Sequence, residues 1–333
     1  MRPRLGSFLG MLALILLAVS CSFPGQAPSA SPPSPPPPSA SAIPSPTPPP
    51  VLLLLSTTSG GPLEEALEAW ANARGWGLDV GLAGEADVAG LLAEPGLQAV
   101  VVEGTEPTSS ALAVSLPPLP VVVVDRENAA PGARTSVVGE PGARHDEAGF
   151  LAGALAGLVS RTRMVGLITE TGGRSEPVYI AAFVHGARYG CPGCGLVTVP
   201  AGEGTAEGMA AEGADVVFAV PGPEADSGLS RMAEAGLWIV WAGEPPPAVS
   251  AEQVAGGVAF APDALVPQAL EALLAGASGR AWPYSVANGG VRLAGLNPAA
   301  LSPGRQRILE AAVEALAIGE LDIGVDPVTG EER

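Results

Sequence analysis

The chain of 333 residues contains no lysine, and all 16 of its basic residues are arginine. Its 34 acidic residues give it a formal net charge of -18 at pH 7. Chemistry that depends on a phosphate-binding or catalytic lysine is therefore excluded, which removes P-loop NTPases and protein kinases. An acidic chain also repels phosphate backbones, so the composition predicts no nucleic acid partner.

Histidine and aromatic residues are also scarce. His145 and His185 are the two histidines, too few to favour a zinc site or a histidine-based triad. No G-x-S-x-G elbow follows a predicted strand, and no nucleophile–base pair is evident. The sequence therefore predicts a protein that is not an enzyme and needs no cofactor or metal. Hydrophobic residues, by contrast, make up 47% of the chain, which is ample for a folded core.

The N-terminus has the pattern of a targeting segment. Arg2 and Arg4 precede an apolar run over residues 9–19, shorter than the roughly 20 residues that span a membrane. The run ends in Leu17-Ala-Val-Ser-Cys21, which resembles a bacterial lipobox. This implies a lipoprotein signal peptide over 1–20, and a lipid anchor, with palmitate among its acyl chains, on Cys21. The location implied is the extracytoplasmic face of a bacterial cell membrane. A secretory peptide or an uncleaved anchor are the alternatives.

Residues 21–50 are rich in proline, serine and alanine and carry no charge. Such a segment cannot bury enough apolar surface to fold, and it samples extended polyproline II conformations. The composition predicts a tether between the membrane anchor and a folded domain over 51–333.

Residues 51–333 alternate short apolar runs with amphipathic segments. Strands that alternate with helices predict βαβ crossovers and parallel sheets covered on both faces. The length favours an α/β fold of two Rossmann-like lobes, with a central cleft at the carboxyl ends of their strands. The predicted strands are 51–56, 77–82, 98–103, 121–125, 164–169, 195–200, 215–220, 238–242 and 256–261. A predicted helix begins near 62, and others cover 85–93, 109–115, 146–160, 176–189, 205–212, 224–235, 264–276 and 303–319.

Several segments of the chain, in order, resemble one family. They are Glu147-Ala-Gly-Phe-Leu-Ala-Gly-Ala-Leu-Ala-Gly-Leu158 with Arg163-Met-Val-Gly-Leu-Ile168, Pro177-Val178, Phe183-Val-His-Gly186-Ala-Arg-Tyr189, Gly213-Ala-Asp-Val-Val-Phe-Ala-Val-Pro-Gly222 and Ile318-Gly-Glu-Leu-Asp-Ile323. The family is the basic membrane lipoproteins (BMP), the PnrA-like substrate-binding proteins of ABC transporters, and the resemblance covers about 51–325.

The resemblance implies a type I periplasmic-binding-protein fold and a receptor for small-molecule solutes, typically nucleosides. It implies delivery of the solute to an ABC permease. The first lobe would cover about 51–160 with part of 255–283, and the second about 161–250 with the C-terminal segment.

The sequence departs from the family where the ligand would lie. The loop Thr57-Thr-Ser-Gly-Gly-Pro62 has none of the Asp, Phe and Asn of the family loop, and Glu244 is the sole acid near the family's ribose-binding position. Purine nucleosides are therefore predicted to bind weakly or not at all, unless Trp241 stacks on the base and Glu244 replaces the family carboxylate. Two functions stay open: a transport receptor, and a sensor or interaction module on the same fold.

Candidate ligand residues follow from position at strand ends and from aromatic character. Carboxylates at the carboxyl ends of strands can accept hydrogen bonds from hydroxyls or amines, glycine-rich turns can offer backbone N–H groups, and rings can stack on flat ligands. The alternatives are helix capping, a tight turn and core packing. The candidates are Ser59, Gly60, Glu103, Asp125, Gly173, Arg174, Phe183, Gly222, Trp241 and Glu244.

Cys191 and Cys194 form a CxxC motif between a predicted helix and a predicted strand. Redox motifs of this type open a helix, whose N-terminus lowers the pKa of the thiol, whereas this one closes a helix. Outside the cytoplasm such a pair oxidises, so a small structural disulfide is predicted. A thiol oxidoreductase is the enzymatic alternative.

The lipid anchor is directly testable. Cys21→Ser removes the thiol that would carry the diacylglycerol, so the protein should move from the detergent phase to the aqueous phase in a Triton X-114 partition. A Cys21→Ser protein that still enters the detergent phase would show that residues 1–20 act as an uncleaved anchor.

Overall fold

A computed structural model describes residues 48–56, 59–82, 88–104, 119–125, 129–139, 142–169, 175–201, 205–222 and 225–333. Thr47–Arg333 form one compact unit. Cys21, Gly173, Arg174 and the predicted helix over 109–115 lie outside the described residues. No helix in the described ranges is long and apolar enough to cross a membrane.

The described strands form two six-stranded sheets. Sheet A has the order β11-β5-β4-β3-β1-β2, and its strands are β1 Val51–Ser56, β2 Gly77–Leu82, β3 Leu97–Glu103, β4 Val121–Val124, β5 Thr135–Val138 and β11 Ala281–Trp282. Sheet B has the order β12-β10-β9-β8-β6-β7, and its strands are β6 Met164–Thr169, β7 Gly195–Pro200, β8 Val216–Ala219, β9 Trp238–Ala242, β10 Val254–Phe260 and β12 Val291–Ala294.

Among the described strands, every pair is parallel except β10 with β12, which is antiparallel. Continuously apolar strands such as β1, whose six residues are all buried, suit a sheet that is covered on both faces. The predicted α/β class with two parallel sheets is confirmed.

Helices cover the sheets, and three of them begin with a proline, whose missing N–H would have no intrahelical partner there. The helices are α1 Pro62–Asn72, α2 Val88–Leu92, α3 His145–Val159, α4 Glu176–Gly190, α5 Thr205–Ala211, α6 Ala225–Glu234, α7 Pro262–Leu274 and α8 Pro303–Ala317. Helices α1 and α7 pack together beside sheet A, whereas α3 contacts α4 and strands β8, β9 and β10 of sheet B.

Three strands are missing from the sequence-based prediction: β5, β11 and β12. Strand β11 is two residues long, and its pairing with β5 rather than its own sequence defines it. Strand β12 carries Arg292 between apolar residues and pairs antiparallel at the edge of sheet B. Short strands are specified by their partners more than by local pattern, so hydrophobic periodicity does not detect them.

Helices α3 and α4 meet through glycine. A Cβ atom on Gly153 would overlap the carbonyl oxygen of Phe183, and one on Gly186 would overlap that of Phe150. Since neither glycine has a side chain, the two helix backbones lie in direct contact. All of α3 except His145 is buried as a result.

The chain passes between the sheets after β5, after β10 and after β11. The crossings are short: the first leads from β5 to α3, the second from β10 to α7, and the third from β11 to β12. Because the sheets are joined in this way, the carboxyl ends of the parallel strands of sheet A lie beside the crossings.

The glycine contact predicts a large difference between two similar substitutions. Gly186→Ala forces a methyl group into the backbone of α3 and should lower the free energy of unfolding by about 2 kcal/mol. Gly208→Ala in α5 meets no atom within 4 Å and should raise it, by up to about 1 kcal/mol, through helix propensity. Urea denaturation of both variants measures the difference, and equal stabilities would contradict the contact.

Candidate functional site

The candidate site lies at the carboxyl ends of three neighbouring strands of sheet A. Ser56 is the last residue of β1, Glu103 is the last residue of β3, and Asp125 follows β4. The Ser56 hydroxyl donates a hydrogen bond to Glu103 Oε2 at 2.5 Å. Ligands of open α/β sheets bind at this edge, which makes it the candidate solute site; Ser56, 1% exposed, holds Glu103 there.

Asp125 has an unusual backbone conformation. Its φ is 53°, in the left-handed region that few residues other than glycine adopt. Its neighbour Gly139 is also left-handed, and a Cβ there would overlap the Asp125 carboxylate and crowd the ring of Tyr284. Aspartate adopts this region more readily than most other residues with a side chain, and the conformation here sets the Asp125 carboxylate against Gly139 and the Tyr284 hydroxyl.

Tyr284 joins Asp125 to the third crossing. Its hydroxyl donates to Asp125 Oδ2 at 3.0 Å, and the residue is 2% exposed. Burial raises the pKa of Tyr284 well above its ordinary range, and the nearby charges of Asp125, Glu103 and Asp263 raise it further. Tyr284 therefore stays neutral and donates a hydrogen bond at every physiological pH.

Asp263 completes the carboxylates around Tyr284. It lies in the first turn of α7, where the helix dipole favours negative charge, and it forms a two-pronged ion pair with Arg292 at 3.0 and 3.2 Å. This pair holds the start of α7 on β12, so an element beside sheet A is fixed to a strand of sheet B.

A second polar group lies where α3 begins. Arg144 makes a two-pronged bond to Asp146 at 2.8 and 2.7 Å and an ion pair with Glu147 at 3.0 Å. The Val286 N–H donates to Glu147 Oε2 at 2.6 Å, and the Arg144 N–H donates to the Tyr284 carbonyl oxygen at 2.8 Å. The first and third crossings are thus bonded to each other at the start of α3.

Glu147 is only 3% exposed, although it carries a carboxylate. Burial raises its pKa above the ordinary value, and the Asp146 charge adds to the rise, while the Val286 N–H and Arg144 oppose it. Its partner Arg144 has a raised pKa, chiefly because of its hydrogen bond to Asp146. The guanidinium therefore remains charged beside these carboxylates.

Aromatic rings connect the site to the second sheet. Phe260 at the end of β10 stacks on Tyr284 with centroids 5.2 Å apart, and its ring meets His145 edge to face at 5.8 Å. His145 contacts Tyr179 of α4, and the His145 Nδ1 to Tyr179 Oη distance is 3.2 Å. In a chain with 4% aromatic residues, this concentration of rings at the crossings is distinctive.

The structure places the predicted site residues in three settings. Glu103 and Asp125 lie together at the carboxyl edge of sheet A. Phe183 and Trp241 are buried: Phe183 stacks on Phe218 at 4.9 Å, and Trp241 fills the space over Gly257 of the neighbouring strand. Ser59, Gly60, Gly222 and Glu244 are exposed in turns. A ligand role for each of these residues stays a prediction.

Sequence reasoning did not single out Ser56, Phe260, Asp263 or Tyr284. The strand-end rule that selected Glu103 applies equally to Ser56 and Phe260, which also end strands. Tyr284 follows a strand of two residues, so no local signal marked it.

Cys191 and Cys194 form a disulfide between α4 and β7. Among the described residues, no group of three or more His, Cys, Asp and Glu side chains is arranged to hold a metal ion.

No protein-family model matches the sequence, and a comparison with curated proteins also gives no match. Solved structures do match. An ABC transporter solute-binding protein from Conexibacter woesei is 20% identical with a TM-score of 0.62, covering 82% of this chain and 98% of that chain. A transcriptional activator of the comK gene from Bacillus halodurans is 14% identical with a TM-score of 0.61, covering 82% and 99%.

The arabinose-binding protein AraP from Geobacillus stearothermophilus is 15% identical with a TM-score of 0.54, covering 78% of this chain and 99% of that chain. The likeness of the structures shows the fold alone. The chain has the periplasmic-binding-protein fold, which these solute-binding and regulatory proteins share.

The buried carboxylate of Glu147 predicts a pH-dependent stability. Because the pKa of Glu147 is higher in the folded state than in the unfolded state, protonation of Glu147 stabilises the fold. This stabilisation is complete in acid and is lost as the pH rises from the ordinary glutamate pKa through the raised one. Glu147→Gln can still accept the Val286 N–H but does not titrate. Its stability relative to the wild type should therefore improve as the pH is raised from acid to neutral.

Urea denaturation at several pH values measures this trend. Glu147→Ala leaves the buried Val286 N–H without an acceptor and should cost about 2 kcal/mol. Glu68→Gln, on the exposed side of α1, is the matched control and should show no trend. A Glu147→Gln stability that worsens with rising pH would contradict the buried-charge interpretation.

Proposed function

We propose that this protein is a lipid-anchored, extracytoplasmic solute-binding protein of an ABC transporter, related to the BMP family. The observation that carries the proposal is the group formed by Ser56, Glu103 and Asp125 at the carboxyl ends of adjacent strands, beside the crossings of a periplasmic-binding-protein fold. This is the edge at which open α/β sheets hold ligands.

The chemistry of the site indicates the kind of solute. Ionised carboxylates only accept hydrogen bonds, so a solute held by Glu103 and Asp125 must bring donors of its own. Sugar hydroxyls and amino groups are such donors. Anionic solutes are disfavoured, because the acidic side chains near Tyr284 repel them.

The anchor and the partner belong to the same proposal. A lipid on Cys21 would hold the protein at the outer face of the membrane, and the proline-rich tether would let residues 51–333 reach an ABC permease. The protein would deliver its solute without chemical change, so we propose no catalytic role for any residue.

Nucleosides fit this site poorly. The rings of Phe183 and Trp241 are 0% and 4% exposed and pack in the core. Stacking is worth about 1–3 kcal/mol per base, so the burial of both predicted stacking rings removes roughly one to two decades of affinity at 1.4 kcal/mol per decade. These placements support the prediction that purine nucleosides bind weakly or not at all.

A sensor or interaction module on the same fold is the second candidate. The observation that favours it is the loop over 57–62, which has none of the Asp, Phe and Asn of the family loop. Such a protein would keep the two sheets and their crossings but hold no transported solute.

A thermal-shift screen distinguishes the candidates. Residues 47–333, a compact unit by themselves, would be tested against sugars, amino acids, amines, bases and nucleosides. A solute at 100 times its Kd should add about 2.7 kcal/mol to the free energy of unfolding. We expect stabilisation by a sugar or a small amine and none by adenosine, guanosine or inosine, whose bases find no stacking partner in Phe183 or Trp241.

Two matched variants locate the response. Asp125→Asn should abolish the stabilisation, because it removes the charged acceptor at the site. Asp79→Asn removes one negative charge from an exposed position on β2 and should leave the response intact. A screen in which no class of solute stabilises the protein would favour the sensor or interaction module.

A further inference from the structure

Helix α8 carries an exposed apolar stripe. Its opposite face is already buried against the rest of the molecule, through Leu309, Ala312 and Leu316. The stripe follows the spacing of three and four residues that marks one face of a helix, and its members are Ile308, Ala311, Ala315 and Ile318. Ile308 is 47% exposed and Ile318 is 63% exposed, so two large apolar side chains of this stripe face solvent.

The charges beside the stripe run against the helix dipole. Helices α1, α3, α4, α6 and α7 each carry an acidic residue in the first turn, where the dipole favours negative charge. Helix α8 has none there. It carries Arg305 and Arg307 towards its start, and Glu310 and Glu314 towards its end. The dipole therefore does not explain the order of charges on α8.

One of the two arginines is used within the chain. Arg305 donates a hydrogen bond to the carbonyl oxygen of Leu158 at 2.5 Å. Arg307 and Glu314 are exposed, and no ion pair between described residues includes either of them. Both charges are therefore free to meet a binding partner.

The positions of Arg307 and Glu314 make the face complementary to itself. They are seven residues apart, or about two turns, so they lie on the same side of the apolar stripe. When a two-fold axis pairs two α8 helices antiparallel, this side of one helix meets the same side of the other. Arg307 of each copy then lies beside Glu314 of the other. A parallel pair places these charges on opposite flanks and forms neither ion pair.

We propose that α8 is a self-association surface, on which a second copy of this chain binds through its own α8 in the antiparallel direction. Charge complementarity selects a second copy as the occupant, because the face carries both members of each ion pair. The formal net charge of -18 makes most contacts between two copies repulsive. Matched charges beside an apolar stripe are therefore what specifies the contact. The proposal does not depend on the solute site.

The concentration dependence of the mass tests the self-association. A contact through one helix of each copy is small compared with the roughly 1,200–2,000 Å² of stable interfaces, so we expect a dimer that dissociates on dilution. Sedimentation velocity of residues 47–333, with the Cys191–Cys194 disulfide kept oxidised, should show the mass rising from monomer towards dimer between about 1 and 500 µM. A mass that stays that of the monomer throughout would overturn the proposal.

An exchange of charges tests the antiparallel direction. Arg307→Glu changes both ion pairs from attraction to repulsion and should weaken association by about tenfold or more. It also places an acid near the start of α8, so the monomer should be no less stable. Arg307→Glu with Glu314→Arg restores both pairs in exchanged form and should return the Kd to within about threefold of the wild type. A double variant that associates as weakly as Arg307→Glu would contradict the antiparallel pairing.

Arg188→Glu is the matched control. It makes the same change of charge at an exposed position of α4 and should leave the Kd unchanged. Ile308→Ser removes an exposed apolar side chain from the stripe and should weaken association without loss of monomer stability. Equal weakening by Arg188→Glu and Arg307→Glu, or no effect of Ile308→Ser, would show that α8 is not the surface of contact.

Discussion

Direct contact between the backbones of α3 and α4 is the constraint from which the rest of the molecule follows. Glycine inside a helix costs about 1 kcal/mol relative to alanine, yet Gly149, Gly153 and Gly157 recur at every fourth position of α3. Their Cβ positions would meet backbone atoms of α4 and the residue after it, and the Cβ positions of Gly186 and Gly190 in α4 would meet backbone atoms of α3, so the helix backbones lie in contact. A helix buried in this way is fixed in position, and its first turn is fixed with it.

The first turn of α3 in turn fixes the crossings. Glu147 is buried because α3 is buried, and a buried carboxylate must be compensated. The compensation comes from Arg144 at the end of one crossing and from the Val286 N–H in another. The cost of burying this charge remains visible in its raised pKa. The close packing of α3 and α4 thus fixes the positions of the crossings that join the two sheets.

Much of the fold could be predicted from the sequence, because the strands of a sheet that is covered on both faces are plain apolar runs. The end of such a run is easily recognised, which is why Glu103 and Asp125 could each be identified as a carboxylate at the end of a strand, although their proximity could not. Tyr284 could not, since its position depends on the pairing of β11 with β5 rather than on its own surroundings. Trp241 has the residue type of a ligand contact, but Gly257 on the adjacent strand provides space for its ring in the core.

The same contrast explains why the fold is clearer than the ligand. The fold is specified by many redundant sequence patterns, such as the repeated glycines of α3 and the apolar strands, so it can still be recognised when one of these patterns is missing. A solute site depends on a few side chains brought together from distant segments. Ser56 and Glu103 are 47 residues apart, and Asp125 and Tyr284 are 159 apart, yet each pair forms one hydrogen bond. Such pairs follow from strand order and crossings, so the site can be located only after the sheets have been assembled.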